Sequence, residues 1–187
     1  MIDYFALLGI ERRPFIADEF LKNAYLLKTE SSRADKSDVD ALSSLNMAFR
    51  TLSNPVTRVQ HLLTVEFGDA RGGQLGSDLG ELFGTVVEAL QAVDGEIGSL
   101  SAQSSALLRA MAFQRIDAVR GKLDDAEAEL SSREQSLLAD IRSIDEAWCE
   151  NRAQCKAPLA QVALSLTFVQ KWLSEVRERI IRLEELA

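Results

Sequence analysis

The side chains best suited to catalysis are scarce in this chain. His61 is the only histidine among 187 residues, which rules out a histidine-paired zinc site and leaves a Ser-His or Cys-His hydrolase unexpected. Its place between the apolar Val59 and Leu62 reads as packing. Cys149 and Cys155 are the only cysteines; their spacing fits no zinc site, and they read as unpaired thiols. No enzyme, cofactor or metal is expected from such a set. What remains is the chemistry of surfaces. The 21 basic and 29 acidic residues give a net charge of −8, which repels a phosphate backbone or an anionic bilayer, so nucleic-acid and membrane partners are not expected. The acidity is uneven: the chain carries −1 up to Gly68 and −7 from Asp69 onward.

The elements that must hold these surfaces are helical. Only three prolines, 6% aromatics and 47% hydrophobic residues favour helices over a sheet. Asp3 caps a short helix carrying Tyr4, Phe5, Leu7 and Leu8, and Gly9 ends it. After Pro14, a helix from about Asp18 to Ser31 places Phe20, Leu21, Ala24, Tyr25 and Leu27 on one broad face. A third helix carries Val39, Leu42, Leu45, Phe49 and Leu52. Asn54 and Pro55 supply the cap and first residue of a fourth, with Val59, Leu62, Leu63 and Phe67 inward.

Eight of the ten glycines fall between Gly68 and Gly98 and mark a change of character. From Leu159 the apolar positions Val162, Leu166, Val169, Leu173, Val176, Ile180 and Leu183 follow in steps of three and four, a heptad seam. Ile116, Val119, Leu123, Ala126 and Leu130 do the same, Arg133 interrupts, and Leu137, Ile141, Ile144 and Trp148 resume. With a first helix from Ser77 to Val93, these sequences predict an antiparallel three-helix bundle, with turns near 95–102 and 151–158. The expected organisation is all-α: a helical domain over 1–68, a linker over 69–76 and a bundle over 77–187. The linker is short enough that apolar residues of the fourth helix should meet the bundle. Met1-Ile2-Asp3-Tyr4 has neither the basic stretch nor the apolar core of a signal peptide, and no apolar run approaches the roughly 18 residues of a membrane span, so a cytoplasmic location is expected.

The first 67 residues also resemble a known family. Asp3-Tyr4-Phe5-Ala6-Leu7-Leu8-Gly9-Ile10 is similar to the D-Y-F-x-L-F-G-L opening of the HscB family of iron–sulfur co-chaperones. Leu45 to Arg58 (LNMAFRTLSNPVTR) resembles its I-N-x-A-[YW]-x-T-L-x-x-P-[LM]-x-R stretch, and Leu62-Leu63 follow as in its Y-L-L. Leu166 to Leu173 (LTFVQKWL) resembles its L-R-F-L-D-K-L. The resemblance implies a J-type domain followed by a three-helix client-binding bundle.

It also implies two contact surfaces. J-type domains use a His-Pro-Asp loop after the second helix to trigger ATP hydrolysis by a DnaK-type chaperone. The aligned residues here are Arg33, Ala34, Asp35 and Lys36, which keep the aspartate and replace the imidazole and the ring. The basic docking face of the second helix corresponds to Lys22 and Lys28. In the bundle, aligning the family's F-L-M-E-Q-L-E-L-R-E-E-L with Leu79 to Leu90 retains Leu79, Glu88 and Leu90, and Phe168 matches its phenylalanine on the last helix. These four residues are the implied site for an IscU-type iron–sulfur scaffold protein. The expected function is therefore an HscB-like co-chaperone that presents this client to a DnaK-type chaperone. The alternatives are a J-like adaptor that does not stimulate ATP hydrolysis and a structural protein that self-associates through its heptads.

Overall fold

The computed structural model describes residues 2–34, 39–68, 72–74, 76–101 and 106–185. Among these residues the chain is helical throughout and contains no strand: α1 (Tyr4–Leu8), α2 (Asp18–Ala34), α3 (Val39–Ser53), α4 (Pro55–Phe67), α5 (Ser77–Ser101), α6 (Ala106–Trp148) and α7 (Arg152–Glu184). They form two compact units, one made of residues 1–74 with 137–164 and the other of residues 75–136 with 165–187.

Local signals set the ends of α1 and α4. Asp3 accepts from the Phe5 and Ala6 N–H groups, and Gly9 closes α1 at a φ of 68°. Asn54 accepts from Val56 and Thr57, Pro55 opens α4, and Gly68 closes it at a φ of 77°. Both glycines occupy the left-handed region, where a Cβ would strain the backbone.

In the first unit α3 packs against α1, α2 and α4. Its core gathers Phe5, Leu8, Leu21, Ala48, Leu52, Val59, Leu62 and Leu63, with Val59 and Leu62 wholly buried. The broad apolar face expected for α2 is corrected. The covered stripe is Leu21, Tyr25 and Thr29, while Phe20 and Leu27 are 58% and 65% exposed. Seven positions apart, Phe20 and Leu27 share the opposite side of a 3.6-residue helix, which α3 does not reach.

The ends of α6 and α7 belong to the same unit. Trp148 meets Phe67 edge-on at 6.2 Å between centroids and donates its indole N–H to the Arg12 carbonyl at 2.8 Å. Arg13 donates to both carboxylate oxygens of the buried Asp145, at 2.7 and 3.2 Å, and Asp145 also accepts from the Phe15 N–H. Arg12 and Arg152 both pair with Glu66 on α4. Residues from the α1–α2 connection and from α4 are thus held to α6 and α7 by ring packing and by charge-assisted bonds.

In the second unit Asp78 and Glu96 of α5 pair with Arg133 and Arg115 of α6, so these helices run antiparallel. Glu127 and Arg120 of α6 pair with Arg177 and Glu184 of α7, again antiparallel. The expected three-helix bundle follows. Two of its expected boundaries move. α5 continues through Gly95 and Gly98 to Ser101, because Val86, Ala89, Leu90, Val93 and Ile97 sustain a buried stripe that outweighs the low helical preference of glycine. α7 begins at Arg152 and passes through Pro158, so the turn spans 149–151. Pro158 is exposed, and water can take the carbonyl left without its i+4 donor.

Candidate functional site: an aromatic cleft between two helices

Leu79 and Phe83 stand one turn apart on α5, and Phe168 and Trp172 one turn apart on α7. This i, i+4 spacing stacks each pair on one helix face, and the two faces meet. Phe83 stacks on Trp172 with 5.2 Å between centroids, and Phe168 lies against the same indole at 5.9 Å. Together with Gly80 and Lys171 these residues line a cleft of about 300 Å³. Phe83 is 48% exposed although it is a large apolar ring, whereas Trp172 is 7% exposed and forms the floor. Gly80 contributes no side chain; a Cβ there would meet nothing within 4 Å, nor would one at Gly84, so neither glycine serves a close helix approach.

Of the residues implied by resemblance, Leu79 and Phe168 come together in this cleft. Leu90 lies on the Leu79 side of α5, three turns on, and is buried in the bundle core. Glu88 is exposed and stands nine positions from Leu79, about 180° around a 3.6-residue helix, so it faces away from the cleft. Phe83 and Trp172 were not anticipated, although the pairs Leu79/Phe83 and Phe168/Trp172 were visible as one-turn repeats. Lys171 places a cation beside the cleft, 3.9 Å from Glu175, in the half of the chain that carries the net negative charge. The described residues that line the cleft include no nucleophile–base pair. Chemically it can take a bulky apolar side chain from a partner, with a carboxylate beside Lys171.

The second implied surface lies in the first unit. α2 runs through Arg33 and Ala34, the positions aligned with the histidine and proline of the loop, while Asp35 and Lys36 lie outside the described residues. Lys22 and Lys28 are exposed but stand six positions apart, about 240° around the helix, and do not form one face. The Lys28 stem lies over Gly9, where a Cβ would come within 3.1 Å of its Cε.

His61 is the unit's buried histidine. It accepts the Tyr4 N–H at Nε2 over 3.1 Å and stacks on the Tyr4 and Phe5 rings at 4.6 and 5.7 Å. Its role is to satisfy an orphan donor of the α1 N-terminus from α4. Burial lowers its pKa, the Arg12 charge lowers it further, and Asp3 opposes both. Among the described residues no three metal-ligating side chains converge, and no helix is long and apolar enough to cross a membrane.

A set of short N-terminal helices packed about α3, followed by three long helices that form an up-down-up bundle, defines an all-helical fold of the HscB type. A solved structure with this fold is the chaperone HscB from Vibrio cholerae: the chain superposes on it with a TM-score of 0.62 and 17% identity, over 97% of this chain and 99% of that one. No protein-family model matches the sequence, and no curated protein does.

Proposed function

We propose that this protein is a co-chaperone: its aromatic cleft binds a client, an IscU-type iron–sulfur scaffold protein, and its N-terminal J-like helices, residues 1–68, engage a DnaK-type chaperone. The observation that carries this reading is the cleft itself. Leu79 and Phe168, implied by resemblance, line one apolar depression with the half-exposed Phe83 over Trp172. An exposed aromatic on a rigid helix, beside a deeper ring, has the anatomy of a binding hot spot. The end-to-end likeness to a chaperone's fold supports the same reading. Glu88, on the far side of α5, has at most a peripheral part in it, and Leu90 acts through the core.

A second reading, an adaptor that binds its client but does not trigger ATP hydrolysis, is favoured by two features of α2. α2 continues as helix through Arg33 and Ala34, and Lys22 and Lys28 point to different sides of it. On either reading the client binds in the cleft.

The test is calorimetric titration of an IscU-type scaffold protein into the full chain. Phe83→Ala should weaken binding by about tenfold or more, the loss expected when a hot-spot ring is truncated. Glu88→Gln should change it less than about threefold. Equal binding by Phe83→Ala and the unmodified chain, with both folded by circular dichroism, would remove the cleft from the reading. No heat with the scaffold protein would remove that client.

A further inference from the structure

Arg58 closes the motif that begins at Leu45, and the proposed function leaves it without a task. It is 5% exposed. Its Nε donates to the Pro14 carbonyl and its Nη1 to the Leu52 carbonyl, each at 2.9 Å. Both acceptors are neutral, and the ion pairs among the described residues do not include Arg58. Burial pushes its pKa below the ordinary guanidinium value, and the more distant charges of Asp18 and Asp145 oppose that shift. A cation held this way keeps much of its desolvation penalty.

The same side chain lines a cavity of about 420 Å³ in the first unit, and Arg142 of α6 lines it too. Arg142 lies over the Phe15 ring at 5.0 Å, a stacked position that holds its planar fork in place. The start of α2 forms another part of the wall through Ala17 and Asp18. Ala17 has no side-chain oxygen with which to cap the first N–H groups of α2. Phe15, Ile16, Pro55, Leu138 and Ile141 make the rest largely apolar, and among the described residues that line it Asp18 is the only acid. The volume falls within the range of small-molecule sites and far exceeds a bare inorganic oxyanion.

We infer that this cavity binds a small organic phosphate monoester, with Arg142 and Arg58 holding the phosphate and the Phe15–Ile141 wall holding an apolar body. The dianion supplies the countercharge that the neutral carbonyls around Arg58 do not, and the planar forks suit its oxygens. Asp18 opposes it and sets a ceiling on affinity. The site is separate from the aromatic cleft and does not depend on the client reading.

The experiment is calorimetric titration of the full chain with phenyl phosphate and, separately, with inorganic phosphate, with ionic strength held constant by sodium chloride. Phenyl phosphate should bind at about millimolar strength or better and about tenfold tighter than inorganic phosphate. Arg142→Gln, which removes an exposed guanidinium and leaves the core intact, should weaken phenyl phosphate binding by about tenfold or more. Asp18→Asn should strengthen it about threefold. Three results would each overturn the inference: no heat from phenyl phosphate up to about 10 mM, unchanged binding by Arg142→Gln, or inorganic phosphate binding as tightly as the monoester.

Discussion

Replacing Asp145 by alanine removes one carboxylate that serves three donors. Its side chain is 9% exposed and accepts from Arg13 Nη2 at 2.7 Å, Arg13 Nε at 3.2 Å and the Phe15 N–H at 3.2 Å. The Arg13 side chain is 37% exposed and rehydrates when released, so its share of the loss is discounted to about 1 kcal/mol. The Phe15 N–H, left without its acceptor in a partly buried place, costs a further 1–2 kcal/mol or so. The total is about 2–3 kcal/mol, or roughly 5–10 °C in Tm for a chain of this size. The two tryptophans report on different units, Trp148 on the first and Trp172 on the second. Urea unfolding followed by fluorescence in a Trp172→Phe background therefore reads the first unit alone. Asp145→Asn keeps an oxygen for Phe15 and loses the charge, so it should lose about half as much. A loss below about 0.5 kcal/mol for the alanine variant, or asparagine proving no better than alanine, would show that Asp145 does not hold Arg13 and the Phe15 N–H in this way.

Acid should loosen α1. His61 is held neutral by burial and by the Tyr4 N–H it accepts. Its folded pKa is depressed, so the unfolded chain binds the proton first, and stability falls as pH drops from about 6.5 toward the lowered folded value. Because His61 is the only histidine, its NMR titration reads the shift directly; an ordinary histidine pKa would contradict the geometry. Asp3 acts at lower pH. Burial alone would raise its pKa, but the Arg12 fork and the Ala6 and Phe5 N–H groups bring it below the ordinary value, so its contribution is lost as pH falls through that value. Gly95→Ala and Gly121→Ala should each stabilise the second unit by about 0.5–1 kcal/mol, since each lies inside a helix and a Cβ would meet nothing within 4 Å. Thermal denaturation that moves downward for both variants would show that these helices are not intact in solution.

What the sequence made legible was local. The caps at Asp3 and Asn54 and the left-handed closures at Gly9 and Gly68 depend on residues a few positions apart, and the heptad steps from Leu159 to Leu183 record one stripe that is buried at every position but the half-buried Ile180. Errors arose where distant packing overrode a local signal. Gly95 and Gly98 read as a turn, but burial of Val93 and Ile97 keeps α5 helical around them. Phe20 and Leu27 read as part of one broad apolar face, but no described element covers that side of α2. Leu79 and Phe168 were legible through resemblance. Phe83 and Trp172 were missed because the meeting of α5 with α7 is a non-local fact; each helix alone shows only an ordinary one-turn apolar pair. Arg58 was visible only as the last letter of a motif, since its burial and its cavity require the fold.

If the J-like helices engage a DnaK-type chaperone, the turnover of that chaperone's ATP reports it. Single-turnover hydrolysis would be measured with the chaperone alone, with the unmodified chain and with the double variant Arg33→His/Ala34→Pro. Substituting proline at 34 ends α2 near the position where J-type domains begin their loop, and histidine at 33 restores the compact ring. The unmodified chain should stimulate weakly and the double variant at least about fivefold more, with the gain falling as salt rises. Strong stimulation by the unmodified chain would establish Arg33 as a working substitute and remove the adaptor reading. Turnover unchanged by either protein, with both folded, would contradict the claim that these helices act on a DnaK-type chaperone.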